Sequence, residues 1–373
     1  MAPGRKTRIL VVDDSAVMRS LLRSVVCADP GLEVVGTAAD GETALKAIET
    51  LHPDLMLLDV EMPVMDGLVT LRKLRAKGHK MQVIMCSSLT QRGAKVTIEA
   101  LACGASDYVA KPTGQADRES AARALSQDLI PKIHALTNQQ APVFPAAQRA
   151  TPLLPLAPVV KAQPISSTPV ALAIGVSTGG PAALDVLLPN LPASFPLPVL
   201  IVQHMPELFT KLFAERLNGR CPLNVREAAE GEPVNVGTIY IAKGNWHMEV
   251  VAAARNGMPN TLRLNQGPLE NHCRPAVDVL FRSVAAVYGA GTLALVLTGM
   301  GSDGMLGARV VRERGGSVLA QDQASSTVWG MPGAVTNAGL AQKVLPLNAI
   351  APELLRLSSR THAEARELRE LVV

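Results

Sequence analysis

Short runs of apolar, mostly β-branched residues recur along this chain, each followed by a stretch with helical spacing. That alternation admits little besides parallel α/β folding. In the first third, Ile9–Val12, Leu32–Gly36, Leu55–Leu58, Val83–Cys86 and Tyr108–Val109 read as strands, with room for helices of roughly 10 to 15 residues between them. A five-stranded doubly wound domain is the expectation. The pattern resumes with Val170–Ile174, Val199–Val202, Thr238–Ile241 and Thr292–Leu297. Continuous apolar runs of this kind mark strands buried on both faces, so a second α/β domain with a mostly parallel sheet is expected. Between Pro131 and Pro169 stand eight prolines among Ala, Gln, Ser and Thr with almost no charge, the composition of a linker. From Ala351 onward leucine and charge at helical spacing predict a solvated closing helix. The chain thus divides into a domain at 8–125, a linker at 126–167, a second domain at 168–357 and a tail at 358–373.

Length and composition agree with two packed domains. The 373 residues exceed twice the ~150-residue domain prior, and 48% hydrophobic against 18% charged content excludes a disordered chain. Lys and Arg exceed Asp and Glu by 36 − 32 = 4, spread along the chain, so charge argues for no nucleic-acid partner. Aromatic residues are only 3%, too few for base-stacking platforms. Cys27, Cys86, Cys103, Cys221 and Cys273 are scattered without the paired spacing of disulfides or zinc sites, as in a reducing compartment. The apolar run behind the basic start stops at Asp13, and no apolar stretch approaches the ~18 residues of a spanning helix. A cytoplasmic protein without membrane insertion is expected.

Three carboxylates carry the chemistry of the first domain. Asp13 and Asp14 follow the first strand and Asp59 ends the third. In an open α/β sheet ligands bind beyond the carboxyl ends of the strands, so the three should converge on one edge. Such a cluster repels itself unless a divalent ion enters, and Mg²⁺ is the natural oxygen-seeking occupant. A single aspartate after a strand can equally cap the next helix. The full set, with Ser87 after the fourth strand and Lys111 before Pro112 after the fifth, resembles the response-regulator receiver domain, a flavodoxin-like fold. The resemblance implies Asp59 as phosphoacceptor from a histidine kinase and Asp13, Asp14, Asp59 and the Glu61 carbonyl as Mg²⁺ ligands. It implies Lys111 as partner of the phosphoryl oxygens and Ser87 with Tyr108 as the switch pair.

In the second domain the strand ending at Ile174 runs into Gly175-Val176-Ser177-Thr178-Gly179-Gly180-Pro181 and then a helical pattern. The glycines permit a tight strand-to-helix turn and Pro181 suits a first helical position, which leaves Ser177 exposed at a helix N-terminus. Such a string can hold a nucleophile, bind phosphate or merely turn the chain. A nucleophilic serine needs a base and an acid that orients it. His204 follows the strand Val199–Val202, and Asp303 follows Thr292–Leu297, both at carboxyl ends. His247 and His272 compete as bases, Asp278 and Asp322 as acids. The order Ser, His, Asp differs from the Ser, Asp, His order of α/β-hydrolases, which argues against that fold.

Further strings, Arg274-Pro275-Ala276-Val277-Asp278-Val279-Leu280-Phe281 and Val328-Trp329-Gly330-Met331-Pro332-Gly333-Ala334 among them, complete a resemblance to the chemotaxis protein-glutamate methylesterases. Gln323 stands where an acidic residue is expected. The resemblance implies Ser177, His204 and Asp303 as a catalytic triad, with Thr178 and the Met300 backbone near the oxyanion. It implies methyl-accepting chemotaxis receptors as substrate, glutamate methyl-ester hydrolysis and glutamine deamidation as reactions, and no cofactor in this domain. An unphosphorylated receiver would cover the catalytic edge. A monomer is expected. Hydrolysis of a small ester, or a scaffold in which Ser177 only turns the chain, are the alternatives.

Overall fold

The computed structural model describes residues 5–112, 117–137, 168–255 and 257–370, with side chains described as far as residue 359. They fall into two compact units that divide between Pro145 and Ala146. Most of the expected linker and part of the expected tail lie outside the described residues.

The first unit alternates without exception: β1 (Thr7–Val12), α1 (Ala16–Cys27), β2 (Leu32–Ala38), α2 (Gly41–Leu51), β3 (Leu55–Asp59), α3 (Gly67–Ala76), β4 (Gln82–Ser87), α4 (Gln91–Ala102), β5 (Asp107–Ala110) and α5 (Arg118–Leu136). Its five strands lie in the order β2-β1-β3-β4-β5, all parallel. Ile9–Val12, Leu55–Leu58 and Val83–Met85 are wholly buried, as strands covered on both faces must be. Short polar residues start every helix. The side chains of Ser15, Asp40, Asp66, Thr90 and Asp117 each accept a backbone N–H of the following first turn, satisfying donors the helix cannot pair itself.

One boundary differs from expectation. Helix α5 runs through Pro131 to Leu136, so residues 126–136 are helix and not linker. Proline in a helix interior forfeits one backbone hydrogen bond, but here Leu129, Ile130, Ile133 and Leu136 are buried, and that apolar burial outweighs the loss.

The second unit contains β6 (Ala171–Val176), α6 (Gly180–Leu187), β7 (Val199–Gln203), α7 (Glu207–Asn218), β8 (Asn224–Glu227), β9 (Thr238–Ile241), β10 (His247–Val251), β11 (Thr261–Asn265), α8 (Val277–Tyr288), β12 (Thr292–Val296), α9 (Met305–Glu313), β13 (Ser317–Gln321), α10 (Met331–Asn337), β14 (Lys343–Leu345) and α11 (Leu347–Glu370). Seven strands form one parallel sheet in the order β14-β13-β12-β6-β7-β9-β8. Strands β10 and β11 pair separately as an antiparallel ribbon.

From β6 the chain builds outward in both directions, through β7 on one side and β12 on the other. Strand order therefore reverses at β6, the kind of switch point beyond whose strand ends open α/β sheets bind their ligands. Helix α11 is the second difference: Ile350, Ala351, Leu354 and Leu357 are buried, so the closing helix packs one face inward and is not simply solvated. No helix among the described residues is long and apolar enough to cross a membrane.

Candidate active site and phosphoacceptor site

At the carboxyl edge of the first sheet Asp13, Asp14 and Asp59 bring carboxylate oxygens within 4.8 Å of one another. Lys111, immediately after β5, bonds Asp13 Oδ2 and Asp59 Oδ1, each at 2.7 Å. Burial pushes the Asp59 carboxyl up to about 6; Lys111 opposes that shift and the neighbouring Asp13 charge adds to it. Lys111 itself stays protonated beyond the ordinary lysine range, because its two carboxylate partners outweigh its own burial. Three carboxylates and one ammonium leave a net charge of −3 + 1 = −2. An all-oxygen donor set with two uncompensated negative charges fits a hard divalent cation such as Mg²⁺.

The other receiver residues are placed as follows. The Glu61 side chain turns away to Arg92, 3.1 Å distant. Ser87 Oγ lies 2.7 Å from Thr97 Oγ1 and donates to Ser88 O. Tyr108 is buried, and its carbonyl accepts from Lys132 Nζ at 2.8 Å.

In the second unit, parallel register pairs Val176 with Gln203, so Ser177 and His204 leave adjacent strands side by side. The His204 N–H donates to Val176 O at 3.3 Å and the Ser177 N–H to Thr298 O at 3.0 Å. Gly179, with φ at +77°, makes the turn into α6 that a side chain would strain. Gly299 is needed for proximity: a Cβ there would lie 2.9 Å from Ser177 Cβ. Gln203, buried between the two loops, donates from Nε2 to Ser177 O at 3.1 Å.

His204 Nε2 pairs with Asp303 Oδ2 at 2.9 Å. That carboxylate also receives the Val277 and Asp278 N–H groups at the start of α8, at 2.7 and 3.0 Å, and the Gly304 N–H at 2.9 Å. Burial alone would raise it, but His204 and these donors hold it below the usual carboxylate range. For His204 burial disfavours the charged form, but Asp303 and Cys273 prevail and push the imidazole up to about 9. The other ring nitrogen, Nδ1, faces the Cys273 sulfur at 3.7 Å. Among the described residues no hydrogen bond joins Ser177 Oγ to His204.

The competing residues have other partners. His247 is buried with both nitrogens on backbone, Nδ1 accepting from Ala276 N and Nε2 donating to Pro268 O. His272 is exposed. Asp278 accepts from Gly307 N and Asn271 Nδ2, and Asp322 closes a turn onto Ser325. Thr178 is buried beside Ser177, and Met300 follows Gly299 in the loop that approaches it. Sequence reasoning missed Cys273, Asn271 and Gln203. A polar residue adjoining a strand end could have flagged Gln203; nothing local marks the other two.

A parallel sheet with a lysine-bridged acidic cluster, followed by a sheet whose central strand ends carry serine and paired imidazole and carboxylate, defines a receiver joined to a hydrolase. The family profile described as response regulator receiver domain matches residues 9–123, and that described as CheB methylesterase matches residues 172–354. A protein-glutamate methylesterase/protein-glutamine glutaminase of Nocardioides sp. is 50% identical over 354 residues, 95% of this chain and 96% of its own. One from Trichodesmium erythraeum is 46% identical over 94% and 99%. The crystallised CheB methylesterase catalytic domain of Thermotoga maritima is 43% identical, aligning with 51% of this chain and all of its own at a TM-score of 0.49. The chain belongs to the protein-glutamate methylesterase/protein-glutamine glutaminase family and is a hydrolase.

Proposed function

We propose that this chain hydrolyses glutamate γ-methyl esters and deamidates glutamines on methyl-accepting chemotaxis receptors, with Ser177 as nucleophile, His204 as base and Asp303 as its orienting acid. The observation that carries the reading is the 2.9 Å bond between His204 and Asp303, one strand from Ser177. Ser177 Oγ attacks the acyl carbon while His204 Nδ1 takes its proton. The tetrahedral oxyanion collapses as the imidazolium returns that proton to the leaving methanol or ammonia. Water, deprotonated by the same nitrogen, then attacks the acyl-enzyme and frees the glutamate carboxylate and Ser177. Asp303 stabilises the imidazolium throughout. Backbone N–H groups of Thr178, at the start of the α6 turn, and Met300, brought close by Gly299, support the oxyanion.

The receiver sets the rate of this reaction. Asp59 accepts a phosphoryl group from a chemotaxis histidine kinase, and Lys111 engages the phosphoryl oxygens. Asp13, Asp14, Asp59 and the Glu61 carbonyl would hold Mg²⁺, which supplies charge neutralisation for the transfer. Ser87 and Tyr108 respond to the added charge. Methanol release from methylated receptor membranes, with and without a small phosphoryl donor and Mg²⁺, tests the whole reading. Release should rise on phosphorylation and vanish in Ser177→Ala; turnover by folded Ser177→Ala protein would refute the triad.

A further inference from the structure

Asn271 lies in the loop between β11 and α8, with its backbone in the left-handed region at φ +51°. Its side-chain nitrogen is 2.9 Å from Asp303 Oδ1 and 2.9 Å from Asp278 Oδ2. One amide nitrogen carries two hydrogens, and both are given to carboxylates. The two acids are 2% and 1% exposed, so neither is screened from the other by water. Buried like charges this close disfavour each other's ionisation, and Asp278 is indeed displaced upward, by its burial first and by Asp303 in part.

We propose that Asn271 is a positioning residue of the esterase: its neutral amide clamps the Asp303 carboxylate in the rotamer that holds His204 and spaces it from Asp278. Neutrality matters. A lysine or arginine here would satisfy both acids but draw off the negative charge that His204 needs, whereas an amide donates twice and leaves that charge in place. Three of the other four bonds to Asp303 come from backbone N–H groups, so among the described residues Asn271 is the side chain besides His204 that holds the carboxylate, joining the Asp278 and Gly304 N–H groups on Oδ1. The charged and titratable groups around the pair are His204 and Cys273 on the catalytic side, His272 next in the chain, and Arg282 of α8, paired with Glu270 at 2.6 Å. The inference rests on the reading of Asp303 as the acid behind His204.

The test is the ratio of variant to wild-type kcat for methanol release by the full chain, measured at several values between about pH 6 and 9. Asn271→Gly keeps the left-handed backbone and deletes the amide; kcat should fall about tenfold at every pH with KM unchanged. Asn271→Asp is isosteric and tolerates the same backbone. Its new carboxyl can donate one O–H when protonated and repels both acids when ionised. The kcat ratio should therefore be highest at the acid end and decline as pH rises, reversibly on one sample. A flat ratio for Asn271→Asp, or wild-type kcat in both variants, overturns the proposal. Asp303→Asn in the same assay separates the two claims. If it is inactive while the Asn271 variants behave as wild type, this proposal alone fails; if it keeps full turnover, the reading of Asp303 fails first.

Discussion

His204 gives Nε2 to Asp303 at 2.9 Å, and in doing so leaves Nδ1 as the ring nitrogen free of the carboxylate, beside the Cys273 sulfur at 3.7 Å. In the proposed reaction the proton traffic therefore runs through Nδ1, which makes both the charge and the access of one ring nitrogen decisive.

A base works only when neutral, and His204 is held charged up to about 9. In the free enzyme kcat/KM should therefore rise with pH through neutrality and level off near that value. Asp303→Asn removes the carboxylate and leaves Cys273 as the remaining group that opposes burial, so the imidazole pKa falls. The midpoint should then move to lower pH while the plateau drops about 10³- to 10⁴-fold. A pH–rate profile of both proteins checks the direction; an unchanged midpoint would break the assignment.

Cys273 sits where a group added to its sulfur would fill the space in front of His204 Nδ1. Treatment with iodoacetamide should abolish esterase activity. Cys273→Ala should retain turnover and become resistant, although Cys27, Cys103 and Cys221 remain available to the reagent. Equal sensitivity of the two proteins would place the critical thiol elsewhere.

Gly299→Ala would drive a methyl group to 2.4 Å from Met331 Sδ and 2.9 Å from Ser177 Cβ, separations that side chains do not adopt. The loop must retreat from the serine. Displacement of about 1 Å costs on the order of 100-fold, so kcat should drop by that amount with the fold intact by circular dichroism.

As the proposed phosphoacceptor Asp59 must be ionised to react, and burial pushes its carboxyl up to about 6. Labelling by a small phosphoryl donor at limiting Mg²⁺ should slow about tenfold per unit of pH below that value. Saturating Mg²⁺ favours the carboxylate and should move the midpoint down. Lys111→Ala removes the ammonium that favours ionisation and should move it up. A midpoint indifferent to both changes would contradict the charge balance of this site.

Glu353 in α11 binds Lys343 of β14 at 2.8 Å and Arg356 at 2.7 Å, which lowers its carboxyl to about 2. A depressed folded-state value means stability present above the unfolded pKa and lost as pH falls from about 5 toward 2. Glu353→Gln should lower the melting temperature of the second unit at pH 7 by an amount equivalent to about 0.5–1 kcal/mol. Near pH 2 the difference should disappear, which calorimetry at the two pH values would show.

Much of this architecture is legible in the chain order of residues. Strands buried on both faces write themselves as apolar runs, such as Leu55–Leu58 and Val199–Val202, because every position must avoid water. Residues just past such runs, Asp59 in the first sheet and Ser177 with His204 in the second, each lie at the carboxyl edge of their own sheet because parallel strands point the same way. Polar caps such as Asp66 and Asp117 mark helix starts because the unpaired N–H groups are only two or three residues away. These are local rules.

Contacts across long separations obey no such rule. Pro131 opens the proline-rich stretch that reads as linker, yet α5 continues through it because Ile130 and Ile133 are buried, a fact set by the tertiary fold. The edge strands β8 and β14 are short and half polar, and only their neighbours in the sheet pull them into extended form. Cys273 meets His204 across 69 residues and Asn271 meets Asp303 across 32. A serine, an imidazole and a carboxylate can be nominated from their strand ends, but which ring nitrogen faces the substrate, and what holds the carboxylate still, depend on three-dimensional packing. Hydrogen bonds reach only about 3 Å, and sequence distance carries no information about which side chains come that close once the chain has folded.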